Sequence, residues 1–230
     1  KEAKTIVFAE NSVEWIYSFF SIWQNKGIAI PVDASSTVDD VAYILNDARP
    51  EAIWVSGQTE ETARQAIEKA GVDTVVLRMD DLSGLAAHAE TKETGISFED
   101  SDVCVILYTS GTTGFPKGVM LTFKNLLVNI DAISCKEVPI FNKNSSTLIL
   151  LPLHHVMPLV GTLVAPIFSE SQVVLCPTMS GPDIMASLQR GKVTIIVGVP
   201  RLWQTLYNGI KKKIDESALA STLYKLCEKV

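Results

Sequence analysis

The sequence runs to 230 residues, 47% of them hydrophobic and 20% charged. That is long enough to bury a full core and too apolar for a disordered chain. Acidic side chains number 26 against 20 basic ones, a net charge of −6, which argues against a nucleic-acid partner, since that would want a basic face.

The first half alternates strand and helix signals. Thr5-Ile6-Val7-Phe8-Ala9 reads as a strand, and Ser12 caps a helix with Val13, Ile16, Phe20 and Trp23 on one stripe, ended by Gly27. Ile28-Ala29-Ile30 is strand-like before Pro31. Thr37 then caps a second helix through Val38, Val41 and Leu45, stopped by Pro50. Ile53-Trp54-Val55 and Thr74-Val75-Val76-Leu77 flank a third helix from Glu60 to Ala70. Strands alternating with helices of this length predict a layered α/β/α fold with mainly parallel sheets, covered on both faces. Residues 79–101 have weak periodicity and read as a surface connection, with His88 solvated there.

Val103-Cys104-Val105-Ile106-Leu107 is an apolar, β-branched run of the kind that forms a buried strand. Thr109-Ser110-Gly111-Thr112-Thr113-Gly114-Phe115-Pro116-Lys117-Gly118 follows, with three glycines, three threonines and a serine. Glycines let backbone N–H groups turn toward an anion, hydroxyls add donors, and Lys117 adds a point charge suited to phosphate oxygens. The loop is not of the Walker A kind, in which Gly-Lys-Ser/Thr opens directly into a helix. Here Gly118-Val119-Met120-Leu121 looks like a second short strand. Thr122 then caps a helix with Phe123, Leu126, Leu127, Ile130 and Ile133 on one face.

The string Thr-Ser-Gly-Thr-Thr-Gly-x-Pro-Lys-Gly-Val from Thr109 to Val119 resembles the signature loop of the adenylate-forming superfamily, without a departure. That superfamily comprises acyl-CoA synthetases, peptide-synthetase adenylation domains and firefly-type luciferases. Glu10-Asn11-Ser12-Val13-Glu14-Trp15 and Gly27-Ile28-Ala29-Ile30-Pro31-Val32-Asp33 are similar to its early pattern. From the residues themselves, these two segments carry capping, a helix stop and core packing, so they are assigned structure and not chemistry.

Beyond a polar loop at Pro139 to Ser146, Thr147-Leu148-Ile149-Leu150-Leu151 reads as a buried strand ending in Pro152-Leu153-His154-His155-Val156-Met157-Pro158. Histidines at the end of a buried strand stand where α/β folds place ligands. On extended chain the two neighbours point opposite ways and do not chelate one metal together. The Leu-Pro-Leu-His-His string resembles the family's second core motif, and by that match His155, with His154 beside it, borders the acyl and thiol sites. Relatives commonly continue with an aromatic and a glycine. Val156-Met157-Pro158-Leu159 leaves an aliphatic wall instead, which suits a hydrocarbon more than a polar amino acid.

Gln172-Val173-Val174-Leu175 and Val193-Thr194-Ile195-Ile196-Val197 are two more strands, around a helix near Asp183–Arg190. Val199-Pro200 then opens a helix whose stripe of Leu202, Trp203, Leu206, Tyr207, Ile210 and Ile214 is expected in the core. This segment resembles long-chain fatty acyl-CoA synthetases. Lys211-Lys212-Lys213 behind it is a solvated face. Cys104, Cys135, Cys176 and Cys227 show no metal or redox spacing, which favours a reducing compartment. The apolar stretches Leu148–Leu153 and Leu159–Phe168 are short and broken by proline, and neither a bilayer span nor a signal peptide is expected. A cytoplasmic location is expected, with peripheral membrane contact left open.

The resemblance implies part of the large N-terminal domain of an adenylate-forming enzyme, divided here as residues 1–100 and a phosphate-loop half of residues 101–230. It implies activation of a medium- or long-chain fatty acid by ATP to acyl-AMP and then acyl-CoA. Thr109, Ser110, Gly111, Thr112, Thr113, Gly114 and Lys117 would hold the phosphates, His154 would lie beside the nucleotide, and Lys117 and His155 would serve catalysis. Mg²⁺ would bridge phosphate oxygens next to Thr109, and coenzyme A would be the thiol co-substrate. The family's later motifs and its C-terminal domain are not in this sequence. The expected partners are therefore the small-molecule substrates, the remainder of the same chain and, through uncovered apolar surface, further copies of itself. By itself this stretch is expected to be inactive. A peptide-synthetase-type adenylation domain, a luciferase-like enzyme and a non-catalytic nucleotide-binding module are the alternatives.

Overall fold

The computed structural model describes residues 3–81, 97–109, 116–134, 139–217 and Tyr224. The expectations for His88, Ser110, Gly111, Thr112, Thr113, Gly114, Cys135 and Cys227 lie outside the described residues.

Six strands form the first sheet, in the order β4-β3-β1-β2-β5-β6. They are β1 Lys4–Phe8, β2 Ile28–Val32, β3 Ala52–Val55, β4 Val75–Arg78, β5 Val103–Thr109 and β6 Lys117–Thr122. All pairings are parallel except β5 with β6. Helices α1 Val13–Gln24, α2 Val38–Ala48 and α3 Glu60–Ala70 make the crossovers. Their starts are chemically specified. Ser12 Oγ accepts the Trp15 N–H at 2.9 Å, and Thr37 and Asp40 form a reciprocal capping box.

Alternation along the strands assigns each face its own core. Ile6, Phe8, Ile30, Ile53 and Val55 pack under α2 and α3, whereas Val7, Ala29 and Trp54 meet α1. Pro31 does not end β2, because its fixed φ is compatible with extended backbone. The expected α1 stripe is displaced: Trp15, Ser18, Phe19 and Ile22 are buried, Ile16, Phe20 and Trp23 pack beside them, and Val13 is half exposed. A helix between two sheets buries a wider arc than one stripe. Gly27 ends α1 for a reason other than left-handed backbone. Lys26 takes the positive φ of 55°, and a Cβ on Gly27 would lie 2.8 Å from Ile22 Cγ2 and 3.0 Å from the Ala3 carbonyl.

A second sheet, of order β8-β7-β9 and wholly parallel, comprises β7 Ser146–Ile149, β8 Gln172–Leu175 and β9 Ile195–Ile196. Between the sheets lie α1, α4 Phe123–Ser134 and α5, a continuous helical run built from Val156–Pro158, a π-helical Leu159–Val164 and Ala165–Phe168. Ile149, Leu153, Leu159 and Leu163 share one core cluster with α1 and β5. On the outer face of the second sheet, Leu148, Leu150 and Cys176 pack against Ile184 of α6 (Gly181–Arg190) and Leu202 of α7 (Pro200–Asp215). The fold is thus five alternating layers of helix and sheet. No helix among the described residues is long and apolar enough to cross a membrane.

Candidate functional site

The phosphate-type loop is held by an antiparallel hairpin. Thr109 ends β5, Lys117 opens β6, and the two are directly paired, with residues 110–116 between them. Directly opposite residues share a face, so the threonine hydroxyl and the lysine ammonium stand on the same side of the hairpin. Both residues are exposed, and no carboxylate among the described residues pairs with Lys117.

Which face they share is set by a bulge. Val103 pairs with Thr122 and Val105 with Leu121, which leaves Cys104 as one extra residue in β5. Val103 therefore packs on the α2 face, but Cys104 and Val105 both join the α1 face. From there alternation resumes. Leu107 and Thr109 fall on the α1 side, while Ile106 and Tyr108 fall on the other. The bulge has a dedicated partner, since the Trp23 indole N–H donates to the Cys104 carbonyl at 2.8 Å. Tyr108 Oη donates to Asp47 Oδ2 on α2 at 2.6 Å. Burial and that carboxylate push the Tyr108 phenol above its ordinary value. Burial likewise pushes the Cys104 thiol up to about 12, so it is inert packing.

Helices α1 and α2 leave β1 and β2 toward opposite faces, the topology that in open α/β sheets places ligands at the carboxyl ends of the strands. Asp33 follows β2 there. Ala29 pairs in parallel with Val105, so Asp33, just past the end of β2, and Thr109, the last residue of β5, both stand at the carboxyl end of the sheet. From the second sheet comes the histidine turn. His154 Nε2 lies 3.6 Å from Asp33 Oδ2, and Asn11, after β1, bonds to the backbone at both Leu151 and Leu153.

The two histidines do not point opposite ways as extended chain would have them. Strand β7 ends at Ile149, and the His155 N–H closes a turn onto the Pro152 carbonyl at 3.3 Å, so the rings lie 4.1 Å apart between centroids. His154 is largely covered and His155 is exposed. Burial pushes the His154 imidazole below its ordinary value, and His155 adds to this against the opposing Asp33 carboxylate. Partial burial works to raise the Asp33 carboxyl. The Ser35 N–H and hydroxyl and the two imidazoles outweigh it and hold the group below its usual range.

The aliphatic wall expected at Val156–Leu159 is only half available. Pro158 and Leu159 are buried in the core and Val156 and Met157 are exposed, because the segment is helical and not extended. The α7 stripe also divides. Leu202 and Leu206 pack on the second sheet, while Trp203, Tyr207 and Ile210 remain exposed, since so short a strand as β9 cannot cover six apolar side chains. Between α6 and α7 this leaves an open apolar groove of about 1030 Å³, lined among others by Met185, Leu206, Ile210 and Leu151, with Arg201 and Lys213 the charged residues on it.

Among the described residues no group of three His, Cys, Asp or Glu side chains is arranged to hold a metal ion. An ion that prefers oxygen and retains water, such as Mg²⁺, would have the exposed Thr109 hydroxyl within the described part of the hairpin and would take phosphate oxygens besides. The residues present fit a metal carried by its substrate. Asn11 and Asp33 were not picked out by sequence reasoning as site residues. Their one local signal was membership of the two early segments assigned to structure.

Among solved structures, ATP-bound MatB from Rhodopseudomonas palustris superposes with a TM-score of 0.77 at 25% identity, over 89% of this chain and 41% of that one. The N-terminal domain of FACL13 from Mycobacterium tuberculosis gives a TM-score of 0.77 at 21% identity, over 89% and 51%. The layered sheets and the β5–β6 hairpin thus have the fold of the N-terminal domain of adenylate-forming enzymes. The sequence profile of the AMP-binding enzymes matches residues 1–227, and the chain belongs to that family. Its curated relatives include the mitochondrial malonate–CoA ligase ACSF3 of Bos taurus, 24% identical over 99% of this chain and 39% of that protein. They also include the long-chain-fatty-acid–CoA ligase FadD15 of Mycobacterium tuberculosis, 26% identical over 89% and 36%. The chain spans less than half the length of these relatives.

Proposed function

We propose that the protein carrying this chain is an AMP-forming acid–thiol ligase. A carboxylate oxygen attacks the α-phosphate of ATP, the bond to the bridging oxygen of the β-phosphate breaks, and acyl-adenylate and pyrophosphate result. The thiol of coenzyme A then attacks the acyl carbon and AMP leaves. The observation that carries this reading is the β5–β6 hairpin, with Thr109 opposite Lys117 at the carboxyl edge of a parallel sheet. The first step needs positioning more than bond-making side chains. Lys117, with the hydroxyls and N–H groups of the loop it closes, stabilises charge developing on the leaving pyrophosphate. Bound Mg²⁺ would reduce repulsion among the phosphates beside Thr109. His155, exposed at the turn, borders the acyl and thiol groups, and His154 fixes its own ring between His155 and Asp33.

For the acid, we propose a medium- or long-chain fatty acid. The open apolar groove supports this, because its lining includes Leu151, three positions before His154. Malonate is a second reading, favoured by the malonate–CoA ligases among the relatives that match nearly all of this chain. Acid-dependent ATP–pyrophosphate exchange by the full-length protein, with acetate, malonate, octanoate, palmitate and amino acids, separates them. Each methylene buried in an apolar groove adds about 0.8 kcal/mol, so kcat/KM should climb with chain length to a plateau. A maximum at malonate selects the second reading, and preference for acetate or an amino acid overturns the first.

A further inference from the structure

Asn11 joins two parts of the fold about 140 positions apart in sequence. Its Nδ2–H donates to the Leu151 carbonyl at 2.9 Å, and its Oδ1 accepts the Leu153 N–H at 3.0 Å. One planar group thereby supplies both a donor and an acceptor to the same short backbone segment, so it sets the segment's orientation as well as its distance. The mount is rigid on both sides. Asn11 stands between the end of β1 and Ser12, whose hydroxyl caps α1. Leu151 and Leu153 are buried residues, and a buried backbone group that loses its partner costs free energy. Downstream, the His155 N–H bonds to the Pro152 carbonyl, and the Leu159 N–H bonds to the His155 carbonyl at 3.0 Å, which runs the turn directly into α5. The histidine turn is therefore held between the end of β7, α5 and one carboxamide.

We propose that Asn11 is the positioning residue of the histidine turn: its amide holds the Leu151–Leu153 backbone against the end of β1 and so sets where His154 and His155 stand relative to Asp33 and the β5–β6 hairpin. No other residue type of this size does both jobs. An aspartate keeps the acceptor for Leu153 but repels the Leu151 carbonyl, and alanine loses both bonds. The catalytic consequence rests on the ligase reading above; the placement of the imidazoles does not.

The test uses the full-length protein with Asn11→Ala and Asn11→Asp, and Ile44→Val as a control that loosens the core on the far face of the first sheet. Imidazole NMR spectra without ligands and steady-state pyrophosphate exchange are recorded for each. Both Asn11 variants should move the His154 and His155 resonances and lower kcat by about tenfold or more, with the KM for ATP within about twofold because Lys117 is untouched. Ile44→Val should leave both imidazoles in place. If Asn11→Ala does not fold, Asn11→Asp, which keeps one of the two bonds, carries the comparison. Unmoved imidazoles in a folded Asn11 variant overturn the proposal, as does equal movement in Ile44→Val. A wild-type protein with no acid-dependent exchange overturns the ligase reading instead, and the NMR comparison still decides the role of Asn11.

Discussion

His154 has Asp33 on one side and His155 on the other, with its ring mostly out of water. Folding lowers the proton affinity of this imidazole below its ordinary 6.5. As pH falls through that value the unfolded chain takes up a proton that the folded chain still refuses, so the stabilising difference is present above 6.5 and is lost on acidification toward the folded value. Asp33, also lowered, acts in the same sense but only below about 3.8. His154→Gln should therefore flatten the dependence of unfolding free energy on pH between about 7.5 and 5.5, measured by urea denaturation. Parallel slopes for wild type and variant would show that His154 titrates alike in both states. The histidines themselves were legible from their place after an apolar run. Their partners were not, because a contact between Asn11 and Leu151, or between Asp33 and His154, leaves no periodic trace in the local sequence.

The strand Val103–Thr109 shows the same limit one level up. Its apolar run identifies a buried strand, but inserting one residue into an apolar run leaves it apolar, so the bulge at Cys104 was invisible. Yet the bulge decides which face of the sheet receives Thr109 and Lys117. Trp23 is its structural counterpart. Trp23→Phe keeps ring contacts with Phe19, Phe20 and Phe123 and deletes the donor to a carbonyl in the core. A buried carbonyl left unpaired costs about 1–3 kcal/mol, and we expect a loss of that size in denaturant titration together with a raised KM for ATP. Unchanged stability would mean that the bulge holds without the indole. The helix starts were the most readable features, since Ser12, Thr37 and Thr122 each cap where their side chains act on backbone three residues away.

Two mainly parallel sheets share one core cluster, with α1, α4 and α5 between them. Asn11, Asp33, Thr109 and the histidine turn, from four separate stretches of chain, all follow or end strands at the carboxyl side. Alternating strands and helices made the α/β class plain. They left open that β5 and β6 extend the first sheet while β7 starts a second, because strand partnership is decided by packing between distant segments and not by local pattern. The proposed adenylation depends most on Lys117, the cation that the hairpin sets opposite Thr109. Acid-dependent ATP–pyrophosphate exchange by the full-length protein at saturating ATP and acid, wild type against Lys117→Ala, measures its contribution. The account predicts exchange slower by roughly 10²–10³, the cost of removing one preorganised donor from a developing charge; a variant within about a factor of two of wild type would contradict it.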